Sequence, residues 1–167
     1  MKQNDFVKKF LPFALQTEEK KGISAIFTLA QAAIESGWGN SIPGNMFFGV
    51  KAGKDIPEEK RQLLTTTEIL KDDKQGYRFP VVLSVTKRPD GKYTYRVKDW
   101  FRKYDTPEEC FTDHADFFFK NKRYSEALKV KHDPSAFADA IAKAGYATDP
   151  NYAQTLKSVI KIIEKNL

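Results

Sequence analysis

Glu35 is carried at the end of a stretch with almost no other ionisable group. Residues 24–34 supply Ala25, Ile26, Phe27, Leu29, Ala30, Ala32, Ala33 and Ile34, apolar on nearly every side, which is the pattern of a helix buried within a core. Gln31 and Glu35 interrupt it, four residues apart and therefore on one face. Gly37 should end the helix, since a glycine just past the last turn readily takes the left-handed conformation that closes it. A carboxyl at that position loses part of its hydration, which raises its pKa. A carboxylic acid still protonated near neutral pH is what a general acid requires. The competing reading is a glutamate that is solvated or paired with a lysine.

The run Leu-Ala-Gln-Ala-Ala-Ile-Glu-Ser-Gly-Trp-Gly over residues 29–39, with Asn-Met-Phe-Phe-Gly-Val-Lys-Ala over 45–52, resembles glycoside hydrolase family 73. These are peptidoglycan-cleaving N-acetylglucosaminidases, found as wall-cutting domains of flagellar rod-cap proteins, autolysins and phage lysins. The resemblance implies that Glu35 is the catalytic acid and assigns Gln31, Trp38, Asn45 and Phe48 to the substrate site. Thr65-Thr66-Thr67-Glu68 is similar to the segment that brings a second functional carboxylate to the family's cleft, making Glu68 the second candidate. Residues 144–153, Ala-Gly-Tyr-Ala-Thr-Asp-Pro-Asn-Tyr-Ala, resemble the C-terminal signature whose first tyrosine, here Tyr146, faces the active site. Phe101–Tyr104 with Glu108–Asp113 is similar to a strand-to-helix junction of structural character. The likeness runs from about Ile23 to the C-terminus and weakens between Ile69 and Lys92. Without it, Glu68 would read as a solvated strand residue and Tyr146 as packing beyond a helix end.

The implied activity is hydrolysis of the β-1,4 bond after N-acetylglucosamine by an endo-acting enzyme. Glu35 would protonate the leaving oxygen. Glu68 would serve as base for an attacking water, or the sugar's own 2-acetamido group would attack, oriented by Tyr146 or Glu68. Carboxyl groups about 5 to 5.5 Å apart suit a direct nucleophile, and about 6.5 to 9.5 Å an intervening water. No metal or organic cofactor is needed. A muramidase or lytic transglycosylase remains an alternative, because lysozyme-like folds share the single helical glutamate. A non-catalytic peptidoglycan-binding module is another.

The elements that must hold these residues are mostly helical. Phe6, Phe10 and Phe13 recur at helical spacing over residues 4–19, although Pro12 should kink that helix or start a new turn. Ser24 is placed to cap the central helix. Residues 40–45 are rich in turn formers and interleaved with Trp38, Phe47 and Phe48. Such rings can stack on sugars or plug the core, and core is the stronger reading for Phe47 and Phe48. Asn45 could bond substrate or tie the loop.

A β-prone run at 63–70 is followed by a hairpin pairing 77–86 with 92–104 around Pro89-Asp90-Gly91. Thr106, Pro107 and Glu109 then form a capping box, and Phe111, Ala115, Phe118 and Phe119 should supply the buried face of the helix they open. His114 on that helix, like His132, has no second histidine or cysteine at metal-binding spacing and reads as structural or exposed. A short helix near 124–129, one from Asp133-Pro134 to Gly145, and one opened by Asp149-Pro150 complete the chain. The last carries a stripe of Tyr152, Leu156, Val159, Ile160 and Ile163. The expected fold is α+β, mainly α: a lysozyme-like single domain over 1–167 with a small antiparallel β-hairpin lobe at about 63–104.

A chain of 167 residues with 41% hydrophobic content suffices for one core and not for two full domains. The single cysteine, Cys110, excludes an intramolecular disulfide. Residues 51–103 hold 14 Lys+Arg against 8 Asp+Glu, so the whole net charge of +6 sits in the middle third. That surplus suits an acidic polymer such as a wall with its peptide carboxylates. Its lysines are scattered and no nucleic-acid motif accompanies them, so nucleic acid is not expected as a partner. No apolar run has the length of a membrane span or a signal peptide, and the export route is left open. A monomer acting on the cell wall, in the periplasm or outside the cell, is expected.

Overall fold

The computed structural model describes all residues, Met1–Leu167. The chain forms two compact units, one from residues 1–48 and 104–167, the other from residues 49–103.

The first unit is helical. Helix α1 (Gln3–Lys21) buries Phe6, Val7, Phe10, Ala14 and Thr17. It continues through Pro12 as one helix. Pro12 lies on the exposed face, where the carbonyl left without an amide partner can bond water, and the buried phenylalanines hold the helix on either side. Phe13 falls off that face and is only half-buried.

Helix α2 (Ala25–Ser36) is the centre of this unit. The Ser24 hydroxyl accepts from the Phe27 amide at 3.3 Å, and nine of its twelve residues are buried. It packs against α1, α4 (Pro134–Lys143) and α5 (Tyr152–Lys165). Ala30, Ala32 and Ala33 leave room for three neighbours, while Phe27 meets Phe137 at 4.6 Å between ring centres. A fully buried Phe or Leu contributes about 1.5–3 kcal/mol, so Phe27 and Leu29 alone anchor the helix firmly.

Helix α3 (Pro107–Lys120) opens with Thr106 Oγ1 accepting from the Glu109 amide at 3.2 Å. The Glu109 carboxylate reaches back to the amide of Asp105, one residue before the cap, at 3.0 Å. Phe111, Ala115 and Phe118 are buried. Phe119 is 46% exposed, a correction to the expected buried face: eight residues beyond Phe111, it has rotated about 80° off the stripe. The expected helix near 124–129 is two 3₁₀ turns, Lys122–Tyr124 and Ala127–Val130. Helix α4 is capped by Asp133, whose Oδ1 accepts from Ala136 at 3.1 Å. Helix α5 starts at Tyr152 and buries Leu156, Ile160 and Ile163, with Val159 half-buried.

The second unit is a three-stranded antiparallel sheet of β1 (Arg61–Leu70), β2 (Val81–Lys87) and β3 (Tyr93–Arg102), ordered β1-β3-β2. Tyr95 and Val97 on the central strand are fully buried, and the Tyr95 hydroxyl donates to the Asp72 carbonyl at 2.6 Å. Tyr77 lies in a 3₁₀ turn, Gly76–Arg78, and not in the hairpin strand expected to include it. The unit begins at Gly49, ahead of the expected Leu63. Residues 50–52 pair with the end of β3: Arg102 donates to the Val50 carbonyl at 2.8 Å, and Ala52 to that of Trp100 at 3.0 Å. This unit carries the whole +6 surplus. No helix of the chain is long and apolar enough to cross a membrane.

Candidate active site

Glu35 occupies the last turn of α2, which contains no basic residue. Gly37 closes the helix at φ 58°, and the Trp38 amide donates to the Ala33 carbonyl at 2.8 Å. Although Glu35 is exposed as a residue, partial burial of its carboxyl raises the pKa above the usual carboxylate range, with no cation to offset it.

Behind Glu35 lies a buried polar chain. Gln31 is fully buried; its amide nitrogen donates to Tyr152 Oη at 2.9 Å, and its amide oxygen lies 2.7 Å from His114 Nε2. The oxygen is thereby left to accept from an Nε2–H, which fixes the tautomer of the imidazole. His114 is stacked on Phe48 at 3.8 Å between ring centres, and desolvation lowers its pKa to about 3, so the ring is neutral near pH 7. Gln31 reaches no solvent, and both ends of its amide are taken by Tyr152 and His114. His114 is structural, held between Phe48 and Gln31.

Tyr146 follows Gly145, whose φ of 89° ends α4, and the Tyr146 amide donates to the Ile141 carbonyl at 3.1 Å. Its ring lies 5.4 Å from that of Tyr152 and 5.7 Å from Phe118. Burial raises the pKa of the Tyr146 phenol well above its ordinary value and pushes Tyr152 up to about 12; the Glu35 carboxylate contributes to both shifts. Both phenols are therefore uncharged hydrogen-bond donors within the field of Glu35.

Trp38 adopts φ 56°, a costly conformation for a bulky residue, and its ring packs edge-on against Phe6 at 5.4 Å. Asn45, also at φ 56°, donates from Nδ2 to the Tyr104 carbonyl at 3.0 Å and so ties its loop. Phe47 is buried against Phe10 and Phe111, as its core reading requires.

In the sheet unit, Glu68 stands on β1 opposite Tyr95. It is half-buried, and its Oε1 lies 2.6 Å from Lys51 Nζ, which also reaches Asp99 Oδ2 at 3.2 Å. Desolvation lowers the Lys51 pKa, but hydrogen bonds and charge from Glu68 and Asp99 outweigh it and leave the net shift upward. Glu68 is thus a partnered carboxylate and Glu35 an unpartnered one. No group of three His, Cys, Asp or Glu side chains is arranged to hold a metal ion.

Lys51, Asp99, Tyr152 and the Gln31–His114 bond were not singled out as parts of a site from sequence. Lys51 stood inside the motif used for the family resemblance, and Tyr152 inside both the C-terminal signature and a stripe read as core.

A helical unit with a desolvated glutamate at the end of its central helix, together with a small antiparallel sheet, defines a lysozyme-like glycoside hydrolase. A family model described as mannosyl-glycoprotein endo-β-N-acetylglucosaminidase matches residues 11–165. The chain belongs to this glucosaminidase family. The C-terminally truncated glycoside hydrolase domain of Salmonella typhimurium FlgJ superposes with a TM-score of 0.72 at 32% identity, covering 98% of this chain and 99% of that one. The peptidoglycan hydrolase FlgJ of Pseudomonas aeruginosa is 30% identical over 95% of this chain and 36% of its own length. The exo-glucosaminidase LytG of Bacillus subtilis is 30% identical over 95% of this chain and 51% of its own. The chain spans about a quarter to a half of the length of the curated relatives it matches.

Proposed function

We propose that this chain hydrolyses the glycan of bacterial peptidoglycan, cutting the β-1,4 bond after N-acetylglucosamine within strands, with Glu35 as general acid. The observation that carries this is the raised pKa of an unpartnered carboxyl at the end of the buried helix α2. The relatives named for peptidoglycan hydrolysis and glucosaminidase activity support the substrate. The basic sheet unit adds charge complementary to a wall rich in carboxylates.

Glu35 protonates the leaving oxygen as the glycosidic bond breaks, and the oxocarbenium-like centre needs a second, stabilising group. We assign that second function to Glu68, whose charge and orientation are set by Lys51. Tyr146 and Tyr152, neutral phenols near Glu35, orient the sugar's 2-acetamido group. Gln31 positions Tyr152. Trp38, Asn45 and Phe48 shape the loop that receives the sugar. The enzyme acts on the wall, outside the cytoplasm, as a monomer.

The test is digestion of purified peptidoglycan by the wild type and by Glu35→Gln, with products reduced by borohydride and identified by mass spectrometry. Reduced N-acetylglucosamine ends, formed only by the wild type, are expected. Reduced muramic acid would indicate a muramidase, anhydro-muramic ends a transglycosylase, and no products from folded protein a binding module.

A further inference from the structure

A groove of about 670 Å³ opens on the sheet unit, and nothing in the hydrolytic chemistry described above uses it. Its floor is Trp100, with the Arg61 guanidinium stacked 4.4 Å above the indole ring. The Nε of Arg61 is shut off from water and has no hydrogen-bond partner. Arg78 and Lys54 stand on the rim, exposed. Tyr77 completes the wall with 84% of its surface in water, an unusual exposure for an aromatic ring. One carboxylate, Asp99, lines the groove, 3.2 Å from a Lys51 ammonium that it shares with Glu68. The groove is therefore lined by three cations, Arg61, Arg78 and Lys54, and three aromatic side chains, Tyr77, Phe79 and Trp100. Through Asp99 and Lys51 it adjoins Glu68, within the same unit.

The ligand that fits is a short chain bearing carboxylates and small apolar side chains. Arg61 and Arg78 would take the carboxylates, Arg61 held flat by Trp100 so that its planar fork is already oriented. Tyr77 would cover the apolar part. Such an acidic peptide is attached to every second sugar of peptidoglycan. We propose that this groove binds the stem peptide of the substrate through its carboxylates, and so directs cleavage to peptide-bearing strands. The inference rests on the peptidoglycan reading of the site.

The probe is the soluble stem peptide released from purified wall by an amidase, titrated into the full chain. The Trp100 indole N–H resonance is followed by NMR and assigned by its loss in Trp100→Phe. A saturable shift is expected, absent when the peptide carboxyls are amidated and weakened about tenfold by Arg78→Gln or Arg61→Gln. Arg78 is exposed, so its variant folds even if Arg61→Gln does not. Peptide-bearing strands should show a lower KM than peptide-stripped strands, and Arg78→Gln should erase that difference while leaving cleavage of stripped strands unchanged. No shift with the free peptide, equal binding of the amidated one, tighter binding of a short single-stranded DNA, or an undiminished preference in Arg78→Gln would each overturn the proposal. If neither kind of strand is cleaved, the proposed function fails, while the titration still decides the groove.

Discussion

His114 gives the helical unit a pH dependence that can be worked from the structure. The imidazole is neutral near pH 7, its pKa lowered to about 3 by desolvation between Phe48 and Phe118. In the unfolded chain a histidine titrates near 6.5. Between these values the unfolded state binds a proton that the folded state refuses, so stability rises with pH across the window. The contribution is complete about one unit above pH 6.5 and is lost as pH falls toward 3. Well inside the window each pH unit is worth about 1.4 kcal/mol, and since half of the unfolded histidines are already protonated at the upper edge, lowering pH from about 6.5 to 4.5 costs about 2 kcal/mol through this group alone. His114→Gln keeps a donor for the Gln31 oxygen and removes the titration. Urea unfolding of both proteins at about pH 7 and 4.5, with a midpoint sensitivity of about 1–3 kcal/mol per molar urea, resolves a difference of that size. The wild type should lose about 2–3 kcal/mol more than the variant on acidification. Equal losses within about 0.5 kcal/mol would refute a neutral imidazole.

Glu35→Gln should unfold at an equal or higher urea concentration than the wild type near neutral pH, because it removes a carboxylate that burial disfavours when charged; a clear loss of stability would contradict this. Gly145→Ala should cost about 1–2 kcal/mol, because φ 89° strains any side chain although no neighbour clashes with the added methyl; calorimetry reads it as a lower Tm. Lys51→Met should change stability by less than about 1 kcal/mol, the ion pairs being half in water, yet lower kcat by releasing Glu68. Full activity there would remove Glu68 from the chemistry. Product lengths sampled early in digestion should shorten throughout the distribution if the enzyme cuts within strands, whereas release of single disaccharides from one end would make it exo-acting.

The central helix and the groups around it differ in how much of them was legible. A run apolar on all sides can only be a core helix, and Ser24 and Gly37 mark its ends, so α2 and the position of Glu35 follow from local chemistry. The order β1-β3-β2 was readable as far as the Pro89–Gly91 turn joins two strands. That Gly49–Ala52 also pairs with β3 was not, since those residues carry no strand pattern of their own. Phe119 shows the limit of listing aromatics along a helix without following their rotation. Gln31, placed on the same face as Glu35, read as a substrate ligand, but the partners that bury it, His114 and Tyr152, come from α3 and α5 and are far away in sequence. The Lys51–Glu68–Asp99 cluster was hidden for the same reason: three residues from separate segments converge only when the sheet is formed.

Whether Glu35 gives the proton is decided by comparing Glu35→Gln with the wild type on two N-acetylchitooligosaccharides, one with its natural sugar leaving group and one with a dinitrophenolate. A departing dinitrophenolate needs no protonation. If Glu35 is the general acid, the variant loses about 10²–10⁴ in kcat/KM on the natural bond and far less on the activated one. Equal losses on both, or wild-type activity on the natural bond, would contradict that role.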